Sequence, residues 1–399
     1  MNELFQNAFT SGRAIRPDHT KPNFVSLVRA VAGLAGAPWP DTDVNAHELA
    51  GLIGEHDHLV FVLVDGMGTS VLSRLPEDSF LRSHQVREIQ SVYPATTACA
   101  TFSYTTGEHP AQHGTSGWWT YLDKYNISAT TLLYIERFGK ASLNTHGVTP
   151  ADLWPLPPLF NRMTHDALLI QPAAFWDSTC SRTMRGMRAG AGYDSLNHAI
   201  ELITTRIANA TGPTYTYLYI PDIDHQGHEH GINSAQATVA LHHVNTALGD
   251  LAERLSGRAR MIVTADHGQI DVATEDNLTI TDGDPLLALL RVPPTGGTRT
   301  AIFHVKDDCG EAFAEQFTAR FGDRIALVAH EEAEAMELFG PAPFSPLARR
   351  RFGDYISIAL APVTLKYCEP LKPGEKYEYE IGHHEGMTPE EMLIPVIVI

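Results

Sequence analysis

The chain has 399 residues, 47 of them Asp or Glu against 29 Lys or Arg, for a formal net charge of −18. With 43% hydrophobic and 19% charged residues, it can bury a sizeable core as two or three domain-sized units, or as one large α/β domain with an insertion. The charge excludes a surface that coats nucleic acid, which needs basic patches. No stretch approaches the roughly 18–20 unbroken apolar residues of a membrane helix.

From the N-terminus, MNELFQNAFTSGRAIRPDHTKPN lacks the basic-then-apolar pattern of a secretory leader, so the expectation is a cytoplasmic protein. The four cysteines, Cys99, Cys180, Cys309 and Cys368, lie far apart with no C-x-x-C pair. They read as idle thiols rather than a zinc knuckle or redox motif. The first apolar run, HLVFVLVDG (58–66), suits a buried strand, and so do IQSVYPATT (89–97), TYTYLYIPDID (214–224) and ARMIVTADHG (259–268). YISIALAP (355–362) and MLIPVIVI (392–399) complete the set. Continuous Val, Ile and Leu imply strands covered on both faces, as in a parallel α/β sheet. Between them, 233–257 has the pattern of a helix stopped at Gly257. A variable stretch over 118–165 is rich in Trp, Tyr and Pro. Residues 275–350 alternate strand-like and helix-like segments and are expected to form a small inserted α/β cap, leaving 1–274 and 351–399 as the catalytic core.

Four of the strands end in polar residues: Asp65, Thr96-Thr97, Asp222 or Asp224, and Asp266-His267. Ligands of open α/β sheets bind beyond the carboxyl ends of the strands, where such residues converge. Asp65, Thr97, Asp224, His228, Asp266, His267 and His384 are too many groups for one cation and about right for two. Oxygen and imidazole donors without cysteine suit zinc, with manganese or another divalent ion as the alternative. Two ions roughly 4 Å apart clamp an in-line displacement at phosphorus. They also supply the positive charge that an acidic protein needs for an anionic substrate.

Each motif has a plainer reading. Asp65 in VDGMG is also a helix cap; a dinucleotide fingerprint fails because its third glycine would fall at Val71. Thr96 and Thr97 both fit a helix N-terminus, where N–H groups also favour a phosphoryl oxygen. Asp224 and His228 are four apart and reach one ion across a helical turn, while His225 and His230 fit a solvated loop. Asp266 and His267 ligate together only if the chain has already left the strand. In GHHEGMTPEE (382–391), either His383 or His384 is a candidate.

The order Asp…Thr…Asp-x-x-Gly-His…Asp-His-Gly…Gly-x-His resembles the alkaline phosphatase superfamily, and most closely its nucleotide pyrophosphatase/phosphodiesterase branch. TTGEHPAQHG (105–114) resembles that branch's T-G-x-x-P-x-x-H-G segment, and counting back nine residues from Thr106 gives Thr97 as the nucleophile. The resemblance covers roughly two thirds of the chain in separated blocks. It implies an alkaline phosphatase-like α/β fold with a mostly parallel central sheet. It further implies one zinc held by Asp224, His228 and His384, and a second held by Asp65, Asp266 and His267 beside Thr97. Thr97 would form a covalent phosphoryl intermediate on a small phosphorus-containing substrate.

Three departures stand out. Glu385 occupies the second glycine of the G-x-H-G pattern. Trp118 stands where nucleotide-cleaving members carry an Asn on the phosphoryl oxygen. Asp222 rivals Asp224, but the x-x-Gly-His spacing favours Asp224. Trp118, Trp119, Tyr121 and Tyr125 are expected to form a stacking wall for an aromatic group, or else to pack beneath the cap. The alternatives are a phosphonate hydrolase, a mutase or a phosphomonoesterase of the same superfamily, and, outside that class, a catalytically silent metal-bearing binding protein.

Overall fold

A computed structural model describes residues 3–40, 42–370, 377 and 379–399. The central sheet has seven strands in the order Gln85–Gln90, Leu393–Val398, Arg260–Thr264, His58–Val64, Thr214–Ile220, Asp166–Pro172 and Ala189–Tyr193. All run in one direction except Leu393–Val398, which is antiparallel to both neighbours. Leu59 to Val64 are buried without a break, as a strand covered by helices on both faces requires. The expected α/β class is therefore present. Two of its strands, Asp166–Pro172 and Ala189–Tyr193, carry no long apolar run and escaped the sequence reading. Among the described residues no helix is long and apolar enough to cross a membrane.

Three expectations need correction. The 89–97 strand is Gln85–Gln90; the chain then leaves the sheet, and Pro94 offers no N–H to a ladder. The helix over 233–257 is Ala235–Leu255, capped by the Ser234 side chain and ended by Ser256 at φ 49°, one residue before Gly257. Finally, Tyr355–Ala359 is not in the central sheet. It lies in a second, antiparallel sheet, between Ile325–Ala329 and Thr300–Phe303. Its apolar continuity has a different origin: Ile356 and Ile358 pack with Phe339 and Phe352, while Tyr355 and Ala359 meet the core around Phe313 and Phe317.

This second sheet continues through Thr295–Gly296 to Trp119–Leu122, Ile127–Thr130 and Ile135–Glu136. It thus joins strands of the 118–165 stretch to strands of 275–350. Beside it, Asn277–Thr281 pairs in parallel with Thr364–Cys368.

A buried ion pair fastens the second sheet to the loop that carries His384. Arg299 and Glu391 are both fully buried, with Nε–Oε1 at 2.7 Å and Nη2–Oε2 at 3.0 Å. Arg299 Nη1 also donates to the carbonyls of Ala361 and Val363, and Glu391 accepts from Gly386 N and Thr388 Oγ1. Arg299→Met leaves that carboxylate buried without its cation, an expected loss of about 3–5 kcal/mol, read from the denaturation midpoint.

The TTGEHPAQHG segment also has a local explanation. Gly107 at φ 71° ends the helix Thr97–Thr106, Pro110 opens the short turn Pro110–His113, and Gly114 at φ 69° ends it. His113 Nε2 lies 3.0 Å from Ser103 Oγ, and His113 Nδ1 accepts from Thr115 N at 3.1 Å. Burial, helped by Arg351, lowers its pKa to about 3. Burial likewise lowers that of His304 to about 4. The unfolded chain therefore binds more protons than the folded one between the folded values and the ordinary 6.5, so stability rises with pH across that window. Acidification from pH 7 toward 4 is expected to cost on the order of 2 kcal/mol per histidine. Thermal melts should show His304→Phe flattening that slope; an unchanged slope contradicts the assignment.

Candidate active site

Asp65 follows the strand His58–Val64, Asp224 lies in the helix Asp222–His230 just after the strand Thr214–Ile220, and Asp266 and His267 follow Arg260–Thr264. Three adjacent parallel strands thus deliver their carboxylates to one end of the sheet. The glycines of VDGMG allow the approach. A Cβ on Gly66, which has φ 72°, would crowd the Asp224 backbone, and one on Gly68 would collide with Gly268. Close approach, rather than a dinucleotide turn, accounts for the pair.

His267 Nε2 lies 3.3 Å from Asp65 Oδ1 and 3.4 Å from Asp266 Oδ2. Thr97 begins the helix Thr97–Thr106 and places its Oγ 3.2 Å from His267 Nε2 and 3.5 Å from Asp65 Oδ2. Beside this group, His228 Nε2 lies 3.3 Å from Asp224 Oδ2, and His384 Nε2 lies 3.9 Å from Asp224 Oδ1. The His267 and His384 rings stack at 3.8 Å. Donor atoms of Asp65, Asp266 and His267 lie within 4.8 Å of one another, as do those of Asp224, His267 and His384.

Two features make these residues fit cations. Asp65 Oδ1 and Asp266 Oδ2 are buried and carry no hydrogen bond, which is costly for carboxylates unless a positive charge joins them. The three histidines also share one pattern. Nδ1 of His267, His228 and His384 faces the carbonyls of Gly268, Gly382 and Ala95 at 2.9–3.0 Å. That contact orients each ring with Nε2 toward the cluster, as ligating imidazoles require.

The electrostatics agree. Burial, then Asp224 and Asp266, raises the Asp65 pKa well above the carboxylate range. Asp266 is raised by burial and by Asp224. Burial opposes ionisation of the other pair, yet Asp224 holds the His228 imidazolium up to about 10 and is itself held low by it. Burial and the neighbouring His267 push His384 well below its usual value. A cation entering beside Asp224 must displace the His228 proton.

The remaining expected residues separate. Thr96 is the N-cap, but its side chain makes no capping bond and its Oγ is buried without a partner. His225 and His230 lie beside Glu229, at 3.8 and 3.7 Å. His383 turns away from Asp224, with Nε2 3.0 Å from the Glu380 carbonyl. Trp118 and Trp119 line the cleft with Thr97, Asp224 and His384. Tyr121 is elsewhere: its hydroxyl donates to Asn126 Oδ1 at 2.9 Å and its ring edges His304. Tyr125 sits beneath Lys124.

Sequence reasoning missed the residues that orient the carboxylates. The Tyr219 hydroxyl donates to Asp65 Oδ2, Gln269 Nε2 to Asp224 Oδ1, and Ser91 Oγ to the Asp266 carbonyl. Tyr219 had a signal: Tyr215, Tyr217 and Tyr219 alternate along one face of their strand, and the last of them faces Asp65. Glu385 shows why a glycine suits its place, since it has φ 93°; its Oε2 accepts from Thr298 N at 2.5 Å.

Two cavities meet at Thr97, Trp118 and Asp224 and form the arms of one cleft. One arm, of about 290 Å³, is the more polar and runs past Thr298, Glu385 and Lys366. The other, of about 400 Å³, runs past Leu132, Phe175, Met184 and Tyr219. Trp118 borders both.

The cluster sits beyond the strand ends of an alkaline phosphatase-like α/β architecture. The chain belongs to the type I phosphodiesterase/nucleotide pyrophosphatase family, whose model matches residues 59–316. Among solved structures it is similar to murine ectonucleotide pyrophosphatase/phosphodiesterase 5, an inactive variant in complex with AMP. The identity is 17% over 85% of this chain and 87% of that one, with a TM-score of 0.61. Phosphonoacetate hydrolase from Sinorhizobium meliloti, in complex with phosphonoformate, matches at 17% identity over 85% and 89%, with a TM-score of 0.62. At these identities the likeness shows the fold. No curated protein matches by sequence.

Proposed function

We propose that the chain is a two-zinc hydrolase that cleaves a phosphodiester or pyrophosphate bond with Thr97 as nucleophile. The observation that carries this reading is Thr97 Oγ lying 3.2 Å from His267 Nε2 and 3.5 Å from Asp65 Oδ2, at the edge of carboxylates that each keep one buried oxygen without a hydrogen bond. Asp224, His228 and His384 would hold one cation, and Asp65, Asp266 and His267 the other. Bound there, divalent cations lower the pKa of the attacking hydroxyl and screen the substrate's oxygens.

Thr97 Oγ attacks phosphorus, so an Oγ–P bond forms while the bond to the leaving oxygen breaks. The helix N-terminus at Thr97 offers backbone N–H groups to the phosphoryl oxygens. Water then attacks from the opposite side; its oxygen stays on phosphorus, the Oγ–P bond breaks, and Thr97 regains its proton. A diester is favoured over a monoester because the cleft has two arms, one for each substituent. Trp118 gives an aromatic wall where an amide would contact phosphate, which favours substrates other than simple nucleotides. The stretch 275–350 works as the cap over this cleft. A reducing, cytoplasmic setting belongs to the same proposal, supported by the four unpaired cysteines.

The test is a panel of bis(4-nitrophenyl) phosphate, 4-nitrophenyl phosphate, a dinucleotide and phosphonoacetate. The expected result is a kcat/KM for the bis-aryl diester at least about tenfold above that for the monoester, a difference of roughly 1.4 kcal/mol in transition-state binding. A clear preference for phosphonoacetate would replace this reading with phosphonate hydrolysis.

A further inference from the structure

The polar arm does not end at the cluster. Past Trp119 and Lys366, which line both, it adjoins a second cavity of about 370 Å³. Four charged residues line that cavity among the described residues: Arg137, Lys140, Lys366 and Glu369. Three of the four are basic, in a chain whose acidic residues outnumber its basic ones by 18. A local reversal of this kind draws anions toward it.

Arg137 makes the case stronger. It is only 4% exposed, and its guanidinium lies 3.8 Å over the Trp119 ring and 4.9 Å over that of Phe138. Among the described residues it has no carboxylate partner; its Nη1 donates to the Pro294 carbonyl. Burial lowers its pKa to about 9, and Tyr367, Cys368 and Glu369 offset that only in part. Lys366 Nζ lies 5.8 Å from the same Trp119 ring and forms no ion pair among the described residues. A buried cation aimed into a cavity gains most from an anion brought to it, because removing both from water is offset only when they meet. Stacking on Trp119 fixes the guanidinium plane, which suits two-pronged contact with a carboxylate or phosphate.

We propose that Arg137 and Lys366, gathered on Trp119, form a distal subsite for an anionic group, a carboxylate or a second phosphate, carried by the substituent that occupies the polar arm. The inference rests on the diesterase reading and narrows its substrate class to diesters with one remotely anionic substituent. Lys366 acts there as a specificity-determining residue, away from the reacting phosphorus.

The test compares three diesters that release 4-nitrophenol. In the first the other substituent is a neutral aryl ring, in the second that ring bears a carboxylate, and in the third a phosphate monoester. The full-length protein is used with zinc present. The wild type should favour one or both anionic substrates over the neutral one by about tenfold or more in kcat/KM, mainly through KM, the size expected of a charge-assisted contact. Whichever anionic substrate gains identifies the group. Lys366→Gln should cut that ratio about tenfold, Lys366→Glu should invert it, and Lys366→Arg should restore most of it. A wild type that cleaves the neutral diester without preferring either anionic one overturns the subsite alone. So does a preference that Lys366→Gln and Lys366→Glu leave intact. A wild type that cleaves none of the three overturns the diesterase reading and this inference with it.

Discussion

Thr97→Ala is expected to lower kcat on a diester by at least about 10⁴-fold, the scale seen when an attacking residue is removed, while the protein keeps its full zinc content. The two halves of this result separate catalysis from structure. The Thr97 side chain is one oxygen beside three other donors in its group, so Asp65, Asp266 and His267 still converge without it. A silent binding protein would show no turnover in either form. A variant that hydrolyses at the wild-type rate would mean that water attacks directly and that no covalent intermediate forms.

Asp65→Asn is expected to act in opposite directions with and without metal. In chelator-treated protein, Asp65 is buried against Asp224 and Asp266, and its pKa is raised by that burial and by those two charges. A carboxyl that holds its proton more tightly in the folded state costs stability as pH rises above its unfolded value. The neutral amide avoids that cost and still accepts from Tyr219, so metal-free Asp65→Asn should melt higher than the metal-free wild type at pH 7.5. Zinc reverses the order. A ligand at about a thousand times its Kd adds roughly 4 kcal/mol of stability to the wild type. The variant, short of one charged donor, should bind zinc at least about 100-fold more weakly. Calorimetric melts with and without zinc read both arms. A variant less stable than the wild type in both states would mean that Asp65 is held by ordinary hydrogen bonds.

The readable part of the site follows from one physical habit: a strand buried on both faces has no room for a carboxylate until it ends. Asp65, Asp224 and Asp266 therefore stand out at the ends of apolar runs, and the spacing around them was enough to propose the cluster. His384 was separated from His383 only by register. Gly382 and His383 pair with Asp271 and Ile270, which turns His383 aside and brings His384 to Asp224. Tyr219, Gln269 and Ser91 stayed hidden because each acts on a ligand far away in sequence. The second sheet was hidden for the same reason. Its contact between Gly296 and Trp119 joins two stretches that local pattern treats as separate, and the Trp119 ring gathers Arg137 and Lys366 from positions 229 residues apart. Tyr355–Ala359 misled the reading because a strand between two cores is apolar on both faces, whichever way its neighbours run.

The most direct test is anomalous diffraction at the zinc absorption edge from crystals of the protein grown with zinc. Two peaks are expected, one bounded by Asp65, Asp266 and His267 with Thr97 Oγ adjacent, the other by Asp224, His228 and His384. A single peak, or peaks bound elsewhere while these carboxylates remain empty, would contradict the two-cation site on which the proposed chemistry stands.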